Sequence, residues 1–304
     1  MFDGYVAFAP LQGYTDIVYR RAHWRHAGGV AEYFTPFVRL VAGGLSSRDA
    51  RDVNAQANAA VPTVAQIIAR DADEFARLCE MLQRHGWKHI NLNLGCPFPM
   101  QVNAGRGCGL LQNPVRLEEI AQEMQRWPDV VFSVKMRCGQ KSVDEGLAAM
   151  QIVGGMPLSQ VVIHPRLGCQ QYKGYVDINA FGRMADICPH PVVYNGDLKT
   201  TAQIEYIMSQ FPKLKGVMVG RGLLERPWML CGKEPLMVLH SIHEELYRHA
   251  DATLCGDSQK LSRLKAFWEY IDIDRKHKKS IMKATTLYRY DQAVALALQA
   301  PYIS

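Results

Sequence analysis

Residues 90–97, Ile90-Asn91-Leu92-Asn93-Leu94-Gly95-Cys96-Pro97, read as a short apolar strand, Ile90–Leu94, running into a glycine–cysteine–proline turn. The same punctuation recurs along the chain. Apolar, β-branched runs that suit strands occur at Val6–Leu11, Tyr33–Leu40, Thr63–Ile68, Val131–Met136, Val161–His164, Val192–Asn195 and Val217–Val219. Helical periodicity fills the intervals at Thr15–His26, Ala72–His85, Val115–Trp127, Val143–Val153, Asp177–Ile187 and Thr201–Ser209. Two of these helices carry start signals: Asn113 before Pro114, and Asp71 with Glu74 three residues on. Eight strands alternating with helices predict an α/β fold, a (β/α)8 TIM barrel. A doubly wound sheet fits less well, because no GxGxxG follows a strand.

The strand ends carry polar groups. In chain order they reach Pro10-Leu11-Gln12-Gly13, Arg39, Gln66, Asn93 to Pro97, Lys135-Met136-Arg137, His164-Pro165-Arg166, Asn195-Gly196-Asp197 and Gly220-Arg221-Gly222. In a barrel all eight ends converge on one mouth, where such folds build their sites. The last two turns are placed to hold a phosphate through backbone N–H groups and Arg221. The competing reading is two tight turns whose glycines only supply positive φ.

Composition bounds the rest. The chain has 304 residues, 48% hydrophobic and 21% charged, which excludes a disordered or fibrous protein. No apolar run approaches the ~18 residues of a membrane helix, and the first thirteen residues lack a signal peptide's basic flank and apolar core. A cytoplasmic protein with no membrane association is expected. The eight cysteines form no CxxC pair, so neither zinc ribbons nor a disulfide framework is expected. His240 and His243 lie three apart on a predicted helix without a further ligand, so no metal is expected either. The net charge is +6, and all of it lies between Lys260 and Arg289, with nine basic against three acidic residues. That concentration points to a polyanion-binding face, with Lys276, Lys278 and Lys279 beyond the apolar positions Leu261, Leu264, Trp268 and Ile271.

These motifs, taken together, resemble the tRNA-dihydrouridine synthases. They are Ala9-Pro10-Leu11-Gln12-Gly13-Tyr14-Thr15-Asp16, then Asn93 to Pro97 with Val102 and Gly105-Arg106-Gly107-Cys108-Gly109-Leu110-Leu111. Val134 to Arg137, His164-Pro165-Arg166, Tyr172-Lys173-Gly174, Asn195-Gly196-Asp197 and Val219 to Gly222 follow in order. Three features depart from the family pattern: Leu11 for methionine, Ile67-Ile68-Ala69 after Gln66 where glycine is commoner, and Pro165 between His164 and Arg166. The resemblance implies an FMN-binding catalytic barrel over residues 1–232 and a helical tRNA-binding domain over 233–304, acting with NADPH as electron donor. It implies that Pro10, Leu11, Gln66, Lys135, His164, Asn195, Gly196, Asp197, Gly220 and Arg221 hold the cofactor, and that Arg39, Asn93, Arg137, Arg166 and Tyr172 face the substrate. Phe37-Val38-Arg39 is similar to the subgroup acting on an early D-loop uridine. A monomer is expected.

Reduction of the C5–C6 bond of uracil needs a hydride at C6 and a proton at C5. A thiol with an ordinary pKa near ~8.5 is protonated at neutral pH, so Cys96, the position matching the family's catalytic cysteine, can supply the proton. Cys108 is the competitor and reads as a packing residue. Asn93 offers donor and acceptor to uracil, and Gln66 does the same for the flavin pyrimidine edge. Other readings of the same residues are a flavin oxidoreductase for a free pyrimidine, a Schiff-base aldolase using Lys135, and a non-catalytic tRNA-binding relic.

Overall fold

The structure, a computed structural model, describes residues 4–42 and 44–299. Eight parallel strands close into a barrel: β1 Tyr5–Phe8, β2 Glu32–Phe34, β3 Thr63–Ile67, β4 His89–Leu94, β5 Val131–Arg137, β6 Leu158–His164, β7 Val192–Tyr194 and β8 Gly216–Val219. Each pairs with its sequence neighbour, and β1 closes the circle by pairing with β8. The (β/α)8 barrel expected from the strand spacing is the fold.

Where the boundaries differ from the sequence reading, proline explains the largest differences. A strand over Val6–Leu11 would need an N–H from Pro10, and β1 stops at Phe8. A strand over Tyr33–Leu40 would run through Pro36, and β2 stops at Phe34 after three residues. Only Val38 returns, to an isolated bridge with Ile67, so Phe37-Val38-Arg39 lies on a loop at the barrel's top. Conversely, β6 begins at Leu158, three residues before the expected start, and its register against β5 shifts between Leu158 and Val161. The helix signals hold. The Asp71 carboxylate accepts from Glu74 N–H at 2.9 Å, and the Asn113 side chain accepts from Arg116 N–H at 3.2 Å ahead of Pro114.

Inside the barrel Ala7, Ala9, Phe34, Val64, Val162, Val193 and Met218 form a small apolar layer, separate from the larger core between strands and helices. Below it Gln160 bridges Tyr5, Glu32 and Lys215. Above it the inner face turns polar, and this is the mouth.

Four helices follow the barrel: Pro235–Thr253, Asp257–Trp268, Arg275–Lys283 and Leu287–Gln299. They pack on helix Ile17–His26, with Phe267 against Tyr19 and with Glu245 paired to both Arg25 and His26. Arg263 reaches Asp16 at 2.6 Å, and Tyr270 packs edge-on against Tyr14, ring centroids 4.8 Å apart. The hydrophobic core is continuous across the expected boundary at residues 232–233. His243 is buried in this core, where the Tyr290 hydroxyl lies 2.8 Å from its Nε2 and also accepts from Trp268 Nε1. Among the described residues no helix is long and apolar enough to cross a membrane.

Candidate active site

The carboxyl ends of the strands enclose a cavity of about 620 Å³. Pro10, Leu11, Gln66, Asn93, Cys96, Lys135, Arg137, His164, Tyr172, Asn195, Gly196, Asp197, Gly220 and Arg221 all line it. Alternation along the strands produces this. Gln66 lies in register with Asn91, Asn91 with Ser133, Asn93 with Lys135, and Arg137 with His164. Residues two apart share a face, so Lys135 and Arg137 both turn inward above Ser133.

Most of these polar groups hold one another. Asn91 Nδ2 donates to Ser133 Oγ, Gln66 Nε2 to Asn91 Oδ1, and Asn93 Nδ2 to Gln66 Oε1, each at 2.8 Å. Asn93 Oδ1 then accepts the backbone N–H groups of Gly95 (2.9 Å) and Cys96 (2.8 Å). A ladder of amides thus crosses three strands and ends on the loop that carries the Cys96 thiol. The amide groups that the sequence offered to uracil and to a flavin edge are engaged here with protein. Arg137 is similarly occupied: Nε donates to Gly95 O (2.8 Å) and NH1 to the carbonyls of Leu167 and Gln171 (3.0 and 2.7 Å). It ties the loop after β4 to the loop after β6.

The phosphate-like turns have a different logic from the one their glycines suggested. None of Gly196, Gly220 and Gly222 has positive φ; the left-handed residue is Asp197, at φ 47°. A Cβ on Gly222 would lie 2.1 Å from Leu198 O, so this glycine lets the two turns close on each other. Closure brings Arg221 NH2 to 2.9 Å from Asp197 Oδ1, while Arg166, buried behind, pairs with the same carboxylate. Burial would raise the Asp197 pKa, but the hydrogen bond and charge of Arg166, then the charge of Arg221, hold it below the usual carboxylate range. The trio carries one net positive charge at the mouth.

Lys135 stands apart. Among the described residues its ammonium has no protein hydrogen bond or carboxylate partner. Enclosure in the mouth, and then the charge of Arg137, bring its pKa down to about 7. Burial pushes the Cys96 thiol up despite the nearby Phe98 amide, Arg137 and Lys135, so it stays protonated at neutral pH. Cys108 is fully buried, with Sγ on Gln140 Oε1 (2.8 Å) and near Cys96 O (3.1 Å), and burial pushes it up to about 12. It packs beneath the loop, as the sequence suggested. Burial, with Lys135, Arg137 and Arg166 nearby, holds the His164 pKa well below its ordinary value. Its Nε2 faces the Arg166 donor and Nδ1 faces Asn195 Oδ1, both at 3.3 Å, which fixes the neutral Nδ1–H form.

Five expected substrate contacts lie outside the cavity lining. Arg39 sits on the loop that replaces the overlong second strand. Arg166 is 2% exposed, held by Asp197, Gly174 O and His164. Lys276, Lys278 and Lys279 stand on the helix Arg275–Lys283, and of these Lys278 is half-buried with Nζ on Ile271 O at 2.8 Å. Conversely, Phe37, Phe98, Gln101, Gln171 and Tyr270 line the cavity without having been singled out as site residues, and Asn91 anchors its floor. Asn91 was discoverable from its spacing of two from Asn93; Tyr270 was not, since only packing of the C-terminal helices brings it to the barrel.

A thiol held protonated, an unpartnered lysine and a cationic rim in one barrel mouth define an enzyme site for an acceptor-rich ligand. The family model for dihydrouridine synthase (Dus) matches residues 7–299. A probable tRNA-dihydrouridine synthase of Rhodobacter capsulatus is 30% identical over 237 residues, 75% of this chain and 70% of its own. The tRNA-dihydrouridine(16) synthase of Pseudomonas syringae is 28% identical over 234 residues, covering 73% and 72% of the two chains. Morphinone reductase superposes with a TM-score of 0.51 over 77% of this chain and 88% of its own, and at 9% identity the likeness is of fold alone. The chain belongs to the dihydrouridine synthase family.

Proposed function

We propose that this protein reduces a D-loop uridine of tRNA to 5,6-dihydrouridine in the cytoplasm, with FMN in the barrel mouth and NADPH as the electron source. The observation that carries the reading is the pairing, in one cavity, of a protonated Cys96 thiol with a lysine that has no partner among the described residues. The cavity fits the cofactor on that same ground: Lys135 is a donor awaiting an acceptor, and about 620 Å³ lies within the range that cofactor sites occupy. Lys135 would contact the flavin ring, and the Asn195–Asp197 and Gly220–Gly222 turns with Arg221 would hold its phosphate. Bound FMN supplies the hydride that adds to uracil C6.

The chain's own residues do the rest. Cys96 Sγ–H gives its proton to C5, which completes addition of one hydride and one proton across the double bond. The amide ladder from Ser133 to Asn93 holds the Cys96 amide and thereby aims the thiol. Lys135 and the Arg166–Asp197–Arg221 trio supply fixed positive charge where negative charge develops on ring oxygens and nitrogens. The exposed basic residues of helix Arg275–Lys283 receive the tRNA backbone. The test is to measure dihydrouridine by mass spectrometry in tRNA from cells lacking the gene and after incubation with purified protein. Loss in the first and restoration in the second support the function; unchanged tRNA in both refutes it.

A lysine with a pKa about 7 also suits Schiff-base chemistry, which is the one observation favouring an aldolase. Borohydride reduction with a carbonyl substrate would trap an adduct on Lys135 only in that case.

A further inference from the structure

We infer that Phe98 is a stacking platform for the nucleobase adjoining the one that enters the cavity, an inference that rests on the RNA substrate proposed above. Phe98 follows the reactive cysteine by two residues. It lines the cavity and yet is 60% exposed, so it forms the lip and not the floor. Met100, 62% exposed, stands beside it at the start of helix Pro99–Asn103. Large apolar side chains scattered singly over a surface need no explanation. Two within three residues, one of them lining the mouth of the cavity and two residues from the Cys96 thiol, do.

The loop presents this ring rigidly. Pro97 and Pro99 flank Phe98, whose backbone is held extended at φ −67°, ψ 126°. The return limb is equally fixed. A Cβ on Gly107 would lie 2.6 Å from Cys96 O, and Arg106 holds buried Glu74 through Nε at 2.9 Å and NH2 at 2.5 Å. An exposed ring on such a loop loses little freedom when it is covered.

The chemistry of the covering group follows from what the cavity requires. A base in a stacked strand cannot reach a thiol recessed in a barrel mouth, so it must leave the stack, and its neighbour is left with an uncovered face. Tyr172, 61% exposed and also lining the cavity, already lies over the guanidinium groups of Arg137 and Arg221 at 5.4 and 5.5 Å. Among the described residues no cation lies over the Phe98 ring, and its open face matches a base.

The experiment compares Phe98→Ala, Phe98→Leu and Phe98→Trp with the wild type, using kcat/KM for dihydrouridine formation on folded tRNA. A second readout is the fluorescence of 2-aminopurine placed beside the modified uridine. Stacking predicts a loss of roughly 5- to 150-fold for the Ala and Leu variants, little loss for Trp, and quenching on binding for wild type and Trp alone. Phe98 is exposed, so unchanged melting temperatures are expected, and the Leu variant keeps apolar bulk without a π face. A wild-type rate in Phe98→Leu overturns the inference alone, as does a loss in Phe98→Trp equal to that in Phe98→Ala. Absence of dihydrouridine formation by wild-type protein overturns the functional reading and this inference with it.

Discussion

Replacing Asn93 with alanine separates scaffolding from substrate contact. The side chain is 8% exposed and satisfies three groups at once: the amides of Gly95 and Cys96, and Gln66 Oε1. Alanine leaves all three without their partner. A buried polar group so orphaned costs about 1–3 kcal/mol, and the lower figure applies where the mouth admits water, giving about 3 kcal/mol in total. At about 2 °C per kcal/mol for a chain this long, the melting temperature of the substrate-free protein should fall by about 6 °C. The Cys96 loop, no longer held by its amides, should drift enough to cut product formation by about 100-fold, as a displacement of about 1 Å does elsewhere. Asn93→Asp keeps the acceptor for both amides and should recover most of the stability. Calorimetry without substrate decides the matter, because a residue that only touched uracil would leave the transition where it was. A melting temperature for Asn93→Ala within 1 °C of wild type would refute the ladder's role.

Cys96→Ala should abolish dihydrouridine formation while flavin reduction by NADPH continues. Because burial raises the thiol's pKa, wild-type turnover should hold through neutral pH and decline only in the alkaline range as the proton is lost; product from the mutant would redirect attention to Cys108. Lys135, with a pKa lowered to about 7, is charged below that pH and neutral above it, so affinity for FMN in fluorescence titrations should weaken as pH rises past 7. Lys135→Met should flatten that dependence, and a mutant profile parallel to wild type would remove Lys135 from the contact. Arg221→Ala should lower FMN affinity about tenfold, less than for an unpaired arginine because Asp197 already holds part of its charge, and undiminished flavin content would exclude it. Changing Lys276 and Lys279 to Glu should reduce the salt slope of tRNA binding by about 1.4–1.8, whereas including Lys278 should add instability because its ammonium caps Ile271 O; an unchanged slope would move the RNA elsewhere.

What could be read from the sequence follows from what local pattern encodes. Strand number, order and inward-facing ends were legible because β-branched runs and their polar termini repeat eight times, and the caps at Asp71 and Asn113 because capping is a contact over three residues. The extent of β2 was misjudged where hydrophobicity continued through Pro36 and hydrogen bonding could not. The partners of the site residues were not legible at all. Gln66 and Asn93 each offer donors and acceptors, and the sequence says nothing of which will meet protein and which ligand. Arg166 looked like a substrate contact by position, but Asp197, 31 residues on, takes it. The C-terminal helices hid their attachment likewise, since Arg263, Phe267 and Tyr270 find Asp16, Tyr19 and Tyr14 across the whole barrel.

That pairing pattern bears on catalysis. Among the described residues five cations surround or back the mouth, and four of them are neutralised or anchored: Arg137 by carbonyl groups, Arg166 and Arg221 by one carboxylate, and Lys199 by Glu225. Anchored cations keep their positions when a ligand arrives, so the field they exert is fixed in advance and needs no reorganisation. Lys135 is the exception, and the cost of its isolation appears in its lowered pKa, which burial and Arg137 impose together. A ligand that accepts a hydrogen bond or bears negative charge there relieves that cost, restoring the ammonium's ordinary preference for its proton. Among the described residues Lys135 is thus the cation of the mouth left open to a ligand, while the amide ladder below it holds the loop that carries the Cys96 thiol.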